Sequence, residues 1–123
     1  PLGGCETGDA KATPGFLLPA GWVVHTVGPI WRGGEGGEDG LLASCYRRSL
    51  LVAAGLPARS IAFPAISTGI YGFPPDRAAR IAVGTVASEI SAVPRGLSRI
   101  VFCCFGEASA RHHLDAFTEM GIG

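Results

Sequence analysis

Apolar residues along this chain fall into two patterns, short runs and longer segments at helical spacing. The short runs at residues 22–27, 60–63 and 99–105 predict strands, and the last is continuously apolar at its centre, which is typical of a strand covered on both faces. Apolar residues at steps of three and four predict helices over 41–54, 75–93 and 109–120. A shorter segment, 7–13, is predicted as an edge strand. This alternation predicts an α/β domain with a sheet that is at least partly parallel.

The predicted helices carry further signals. Asp39 is expected to cap the first helix, and Gly55 to end it. On the third helix, Leu114 and Phe117 are expected to face inward. Residues 32–40 are rich in Gly and Glu and are predicted as a flexible surface loop before the first helix.

Composition narrows the range of functions. The 123 residues suffice for one domain and not two, and 47 % hydrophobic against 16 % charged residues argues against disorder. Ten basic residues balance ten acidic ones, so no net field draws the chain to nucleic acid or to an anionic membrane. No apolar run approaches the roughly 20 residues of a membrane helix. Any anion bound here must therefore be held by local geometry.

The four cysteines, at positions 5, 45, 103 and 104, include no CxxC pair. Reduced thiols are therefore favoured over a disulfide framework, and no secretory signal is visible, so we expect a cytoplasmic protein. The three histidines lack the spacing of a zinc site, and the adjacent pair His112 and His113 would diverge by about 100° on a helix. No metal is expected.

Residues 61–74 are the most informative stretch. An apolar run stops at Ser67-Thr68-Gly69, and a helix is predicted from Pro75. In open α/β sheets, ligands bind where the carboxyl ends of strands meet helix N-termini, and successive main-chain N–H groups in such a turn form a concave anion site. The hydroxyls of Ser67 and Thr68 can donate further hydrogen bonds. The stretch therefore predicts a diphosphate site without lysine or arginine.

Two aromatic residues near strand ends each admit two interpretations. Tyr71 lies between Gly69 and Gly72. It would place its ring against a sugar and its hydroxyl near a reacting carbon, or it is a packed aromatic in a tight surface turn. Phe105 would stack on a flat base, or it is a core residue. Residue types alone leave these alternatives open.

Two other enzyme classes fit the sequence less well. A cysteine phosphatase loop needs five residues between its Cys and Arg, whereas six separate Cys104 from Arg111. A serine hydrolase needs G-x-S-x-G at a strand-to-helix turn, and the segment around Ser67 lacks the first glycine. Neither class accounts for the glycines around Tyr71.

Several collinear segments cover nearly the whole chain. The most specific are His-Thr-Val-Gly-Pro and Ser-Thr-Gly-Ile-Tyr-Gly, and the segments lie at residues 5–10, 24–31, 42–46, 61–74 and 102–105. Together they resemble the macrodomain family, in particular its MacroD-type branch of ADP-ribose hydrolases. The resemblance implies a three-layer α/β/α sandwich with a mixed, partly parallel sheet. It also implies that residues 1–123 form a single, incomplete macrodomain.

The resemblance implies a ligand, which is ADP-ribose or an ADP-ribosylated protein. It also implies a reaction of the parent protein, which is hydrolysis of mono-ADP-ribosyl esters on proteins or of O-acetyl-ADP-ribose, with no cofactor required. In the family, the aromatic matching Tyr71 packs beside the distal ribose, and the one matching Phe105 stacks near the adenine. The ligand-binding residues implied in this way are Ile66, Ser67, Thr68, Gly69, Ile70, Tyr71, Gly72 and Phe105.

The chain departs from the family at its beginning. Family members start with an adenine-selecting carboxylate, an Asn-Ala-Ala-Asn segment and a Gly-rich loop with an aspartate, and no segment here replaces them. The catalytic residues are therefore unknown, and Tyr71 is assigned only an auxiliary role. The alternative function is a reader module that binds ADP-ribose without turnover.

We predict that the isolated 123-residue chain has little or no hydrolase activity, because it lacks the segment with the catalytic Asn and Asp. The measurement is release of ADP-ribose from a mono-ADP-ribosylated protein. A rate similar to that of full-length relatives would refute the prediction.

We also expect a family sheet without its first strands to expose an unpaired edge and an apolar face. Either the chain is then part of a longer protein, or another polypeptide fills the gap. Size-exclusion chromatography and thermal unfolding of the isolated chain test this expectation. A stable, monodisperse monomer with a cooperative melt would count against it.

Overall fold

The computed structural model of the protein describes residues 6–14, 22–56, 60–68, 71–89, 99–103, 107–119 and 121. Within these residues, strands and helices follow one another as the apolar pattern predicts. The predicted ends at 90–93, 104–105 and 120 lie outside the described residues. The elements are β1 (Ala10–Pro14), β2 (Trp22–Thr26), α1 (Glu38–Ala54), β3 (Ser60–Pro64), α2 (Pro75–Glu89), β4 (Arg99–Cys103) and α3 (Glu107–Glu119).

The strands pair in two ways. β1 and β2 are antiparallel, with Ala10 opposite Thr26, whereas β3 and β4 are parallel. An isolated parallel bridge joins Thr7 to Val27. The described strands therefore form two separate two-stranded sheets, one of each kind. This confirms the prediction of a mixed, partly parallel arrangement.

The core is built on one face of α1. Leu42, Tyr46 and Leu50 lie four residues apart and are at most 1 % exposed. The ring of Tyr46 lies 5.0 Å from that of Phe63 on β3. Because residues four apart share one face of a helix, the spacing of apolar residues in the sequence defines this face. The helix also packs on β1, β2 and α2, so it joins both pairs of strands.

Helix α2 packs against both α1 and α3. The apolar face predicted for it is confirmed, because Ala79, Val83 and Val86 are buried, together with Ala78 and Ala82. Most of these side chains are small, which allows helices to approach closely. Residues at the N-terminus of α2, just after β3 and at the start of α3 line one common cavity.

The start of α1 differs from the prediction. The helix begins at Glu38, Gly37 occupies the cap position with φ 79°, and no side chain caps it. Asp39 lies inside the first turn, and its carboxylate lies 2.6 Å from the guanidinium of Arg77 on α2. The prediction of Asp39 as the N-cap is wrong, because a distant helix supplies the partner of its carboxylate. Gly55 is the C-cap, as predicted.

The inward face of α3 is only partly as predicted. Leu114 is 60 % exposed, so its assignment to the core is wrong. Phe117 does face the core, with its ring 6.1 Å from that of Phe102. The buried residue next to Leu114 is His113, whose Nδ1 lies 2.8 Å from the carbonyl oxygen of Ser109. A hydrogen bond to a backbone carbonyl allows the polar imidazole ring to be buried. The spacing of apolar residues along the sequence does not indicate a buried histidine.

The described cysteine side chain, Cys45, is buried, and its thiol donates to the carbonyl oxygen of Val27 at 3.3 Å. This contact helps to attach α1 to the end of β2. None of the described helices has the length and apolar character needed to cross a membrane.

Candidate functional site

In the segment that follows β3, a backbone hydrogen bond brings Ser67 and Phe73 together. Ser67 has a φ of 68°, a left-handed backbone conformation that residues other than glycine rarely adopt. Gly72 is also left-handed, with φ 73°. The amide of Phe73 donates to the carbonyl of Ser67 at 2.9 Å and closes the turn. Because Phe73 is fully buried, the turn is anchored in the core at this end.

The hydroxyl oxygen of Ser67 is buried and has no hydrogen-bond partner among the described residues. A buried hydroxyl that stays unpaired costs about 1–3 kcal/mol, so a ligand that pairs with it would relieve that cost. Strained backbone and unsatisfied polar groups are both associated with functional sites. The two features coincide at Ser67.

Gly28 lies directly against this turn. A Cβ on Gly28 would be 2.1 Å from the Oγ of Ser67 and 2.6 Å from the Cγ2 of Ile66, far inside van der Waals contact. Only glycine therefore allows the chain after β2 to approach the turn so closely. Nearby, the amide of Trp31 donates to the carbonyl of Tyr71 at 2.9 Å. The His-Thr-Val-Gly-Pro and Ser-Thr-Gly segments, distant in sequence, thus meet in space.

Two cavities border the turn and share no lining residue. The first, the Thr68 cavity, has a volume of about 270 Å³, lies between the first turns of α2 and α3, and has Ile66 and Thr68 on its wall. The second, the Tyr71 cavity, has a volume of about 290 Å³ and has Gly28 and Tyr71 on its wall. Both are near the lower limit of small-molecule sites, about 300 Å³. A ligand bound over the turn would have space on each side.

The loop before α1, together with Glu38 at the start of that helix, forms part of the wall of the Tyr71 cavity. Glu38, 3 % exposed, accepts hydrogen bonds from the amides of Arg32 at 2.8 Å, Gly34 at 3.0 Å and Gly36 at 2.6 Å. These bonds, above all that from Arg32, lower the pKa of Glu38 to about 2. The predicted surface loop is confirmed for residues 32–37, most of which are exposed, but its predicted end at residue 40 is wrong. Residues 32–37 are organised by this carboxylate, and 38–40 belong to α1.

Arg77 connects the start of α1 with the turn. Its Nε and Nη2 donate to the two carboxylate oxygens of Asp39 at 2.8 and 2.6 Å, which raises the pKa of Arg77. Its guanidinium lies over the ring of Trp31, 5.1 Å from the centroid. Trp31 in turn packs on Phe73, with ring centroids 4.9 Å apart. This series of contacts fixes the residue that closes the turn.

The sequence of this chain matches a known protein family. Residues 1–82 match the family model described as Macro domain. The chain belongs to the macrodomain family. The match includes the turn and the first part of α2, so the elements that form the site lie largely within the matched region.

Curated relatives of this macrodomain cover most of its sequence. It is 58 % identical over 106 residues to a Macro domain-containing protein of Chlorobaculum tepidum, over 86 % of this chain and 61 % of that protein. It is 49 % identical over 121 residues to an O-acetyl-ADP-ribose deacetylase of Salmonella newport, over 97 % of this chain and 66 % of that protein. The chain thus spans about two thirds or less of the length of these relatives.

Solved macrodomains have the same fold. A mutant of the Oceanobacillus iheyensis macrodomain with ADPR has a TM-score of 0.84 at 36 % identity, over 96 % of this chain and 62 % of that one. The Trypanosoma brucei macrodomain in complex with ADP-ribose has a TM-score of 0.80 at 36 % identity, over 98 % of this chain and 47 % of that one. The predicted α/β macrodomain fold is confirmed.

The structure brings several of the predicted ligand-binding residues of this macrodomain into one turn. Their contact with a ligand stays a prediction. The residues in the described part of the turn are Ile66, Ser67, Thr68, Tyr71 and Gly72. Those outside the described residues are Gly69, Ile70 and Phe105.

Sequence reasoning missed three residues that shape the site, Gly28, Glu38 and Arg77. Gly28 was part of a matched segment, but its contact with Ser67 crosses between distant parts of the chain. A run of glycines directly before Glu38 was the available signal for an amide-bound carboxylate. For Arg77, the sequence gives no indication of the pairing with Asp39.

The histidines are spread over the fold. His25 lies in β2 and is exposed, His112 lines the Thr68 cavity, and His113 is buried on α3. Within the part of the chain that the structure describes, no three His, Cys, Asp or Glu side chains are grouped so that they could hold a metal ion.

Replacing Gly28 with Ala is expected to destabilise the full-length protein by about 1–3 kcal/mol, because the new methyl group overlaps Ser67 and displaces the turn. Urea unfolding measures the loss. The control is Gly40→Ala at an exposed position of α1, where a Cβ meets nothing within 4 Å. Alanine favours a helix over glycine by about 0.5–1 kcal/mol, so this variant should not be destabilised. Equal stability of the two variants would contradict the close approach.

Replacing Glu38 with Gln is expected to lower the melting temperature at neutral pH, because the amides lose their anionic acceptor. The folded-state pKa of Glu38, about 2, lies below the ordinary value of 4.5, so its contribution is complete above that value and is lost as pH falls towards 2. The difference in melting temperature between wild type and variant should therefore narrow in acid.

Thermal unfolding of both proteins from about pH 6 down to about pH 2.5 measures this dependence. Glu35→Gln, an exposed change in the same loop, is the control. A difference between wild type and Glu38→Gln that stays constant over this range would show that the amides do not bind the charge of Glu38.

Proposed function

We propose that this macrodomain binds ADP-ribose, with the pyrophosphate on the turn at residues 66–72. The observation that carries the proposal is the state of Ser67, whose backbone is left-handed and whose buried hydroxyl lacks a partner among the described residues. A strained residue with an unsatisfied donor is suited to a bound anion. The related Oceanobacillus and Trypanosoma macrodomains are described with ADPR and ADP-ribose, which supports the same ligand here.

The charge of the chain favours recognition by the main chain. Ten basic and ten acidic residues leave no net field. Neither Ser67 nor Thr68 is charged, and α2 begins shortly afterwards at Pro75. Oriented amides and a helix N-terminus hold phosphate by dipoles and hydrogen bonds rather than by ion pairs. Affinity for the pyrophosphate should then depend little on surface lysine and arginine.

The two cavities match a ligand with two halves. A pyrophosphate over the turn would have the Thr68 cavity on one side and the Tyr71 cavity on the other. We assign the distal ribose to the Tyr71 side. Tyr71, 40 % exposed at that cavity, is available to pack against a sugar. The nucleoside half then lies towards the ends of β3 and β4.

For the full-length protein we propose hydrolysis of mono-ADP-ribosyl esters on proteins or of O-acetyl-ADP-ribose. The support is the similarity to the Salmonella protein named O-acetyl-ADP-ribose deacetylase. In a protein-linked ester, water would attack the anomeric carbon of the distal ribose and displace the carboxylate of the modified side chain, while the turn holds the pyrophosphate in a bent conformation. In O-acetyl-ADP-ribose, water would instead cleave the acetyl ester and release acetate and ADP-ribose. Tyr71 is assigned only an auxiliary part beside the reacting carbon.

One observation favours a reader without turnover as the second candidate. A hydrolase needs a group that orients or activates water. Glu38 is the described carboxylate on the wall of the Tyr71 cavity, and its oxygens already accept bonds from three amides. Within the described residues, neither cavity offers another carboxylate. Turnover would therefore require a group from outside this part of the chain.

We further propose that additional polypeptide, from the full-length protein or from a partner, covers strand edges in this fold. The described strands form two pairs, and β2 and β3 each have a hydrogen-bonded neighbour on one side within that part of the chain. Unpaired edges favour addition of a strand. The chromatography and unfolding experiment described above for the isolated chain tests this proposal as well.

Replacing Thr68 with Glu is expected to weaken ADP-ribose binding at least about tenfold, because a carboxylate beside the turn repels the pyrophosphate. Isothermal titration calorimetry of the full-length protein measures the affinity, and a thermal melt verifies folding. Thr118→Glu, an exposed change of the same type near the end of α3, should bind like wild type. Unchanged affinity in a folded Thr68→Glu variant would rule out the turn as the pyrophosphate site.

A further inference from the structure

The rim of the Tyr71 cavity combines exposed apolar side chains with a cation. Of the large hydrophobic side chains that are exposed among the described residues, Ile30 at 48 % and Tyr71 at 40 % both line this cavity. Arg32 lines it too and is exposed. Exposed apolar residues that cluster with an arginine at a cavity are typical of an interaction surface.

The main chain of Arg32 is fixed by a hydrogen bond, whereas its side chain forms no ion pair among the described residues. Its amide donates to Glu38 at 2.8 Å, so the backbone of Arg32 is fixed at the wall of the cavity. The ion pairs among the described residues use Arg47, Arg77 and Arg80, and none of them uses Arg32. Within that part of the chain, its guanidinium is available for an anion.

Glu38, the acidic residue among the described residues that line this cavity, forms no ion pair with the guanidinium of Arg32. The carboxylate of Glu38 is 3 % exposed and is bonded to the amides of Arg32, Gly34 and Gly36. A buried carboxylate whose oxygens both accept amide hydrogen bonds is poorly placed to form a bidentate pair with a guanidinium at the surface. The exposed face of the rim therefore presents positive charge next to apolar area.

We propose that the surface of Ile30, Arg32 and Tyr71 docks the polypeptide to which ADP-ribose is attached, and that Arg32 selects an acidic residue next to the attachment site. This rests on the proposed function, in which the distal ribose lies at Tyr71. The polypeptide attached to that ribose then extends out of the cavity across this rim. A free nucleotide ends at the ribose and does not need the rim, so the surface favours a protein-linked ligand over a small one.

The expected contribution is modest because the rim is exposed. A charge-assisted pair between an exposed arginine and a carboxylate is worth roughly a 1.5- to fivefold change in affinity. Ile30 would add a contact that does not depend on the sequence of the peptide. The two side chains should therefore affect binding in different ways.

The test uses three ligands and the full-length protein. Free ADP-ribose is compared with two peptides that carry ADP-ribose through a hydrolysis-resistant linkage, one with glutamates and one with glutamines beside the attachment site. Wild type should prefer the glutamate peptide by about 1.5- to fivefold. Arg32→Ala should reduce that preference to about one, and Arg32→Lys should restore part of it. Ile30→Ser should weaken both peptides equally.

Matched controls lie on α1. Arg48→Ala removes another exposed arginine, and Leu51→Ser removes a hydrophobic side chain that is 49 % exposed, close to the value for Ile30. Both controls should keep the preference of wild type. The proposal is overturned if wild type binds the two peptides equally, if Arg32→Ala keeps the preference, or if it weakens all three ligands alike. Absence of wild-type binding to free ADP-ribose would instead contradict the proposed function.

Discussion

The site depends on a close contact between the backbone of Gly28 and the side chains of Ile66 and Ser67. Gly28, just after β2, lies against Ser67, just after β3, at a distance that excludes even a methyl group. This contact keeps the left-handed Ser67 next to the end of β2 and confines its hydroxyl. The buried ring of Phe73 holds the other end of the turn in the core. Two rigid attachments thus maintain a strained conformation that an isolated peptide would not keep.

Binding an anion through amides recurs in this molecule. The loop before α1 holds the carboxylate of Glu38 with three backbone N–H groups, and the pKa of Glu38 falls to about 2 as a result. The turn around Ser67 is assigned the same type of interaction with a pyrophosphate. Both segments are rich in glycine, which allows the backbone angles that direct several amides to one point. A chain with no net charge can in this way bind an anion without a basic patch.

The predictions that held are those governed by short-range regularity. The helical spacing of Leu42, Tyr46 and Ser49 indicated the buried face of α1, because residues three and four apart share one side of a helix. Predictions that failed depended on partners far away in the chain. Asp39 did not cap its helix because Arg77 bonds to its carboxylate, and Leu114 did not enter the core because the buried position beside it belongs to His113. Neither partner can be read from the neighbouring residues.

The sequence by itself determined the α/β alternation, the buried faces of α1 and α2, and the presence of a glycine-bracketed turn after a strand. These follow from periodicity and from the backbone angles open to glycine, which are local properties. The tertiary structure alone decided that Gly28 meets Ser67, that Glu38 organises its own loop, and that Ile30, Arg32 and Tyr71 share one rim. Contacts of this kind arise only when packing brings distant or neighbouring backbone segments to a fixed distance, and a linear pattern carries no information about such distances.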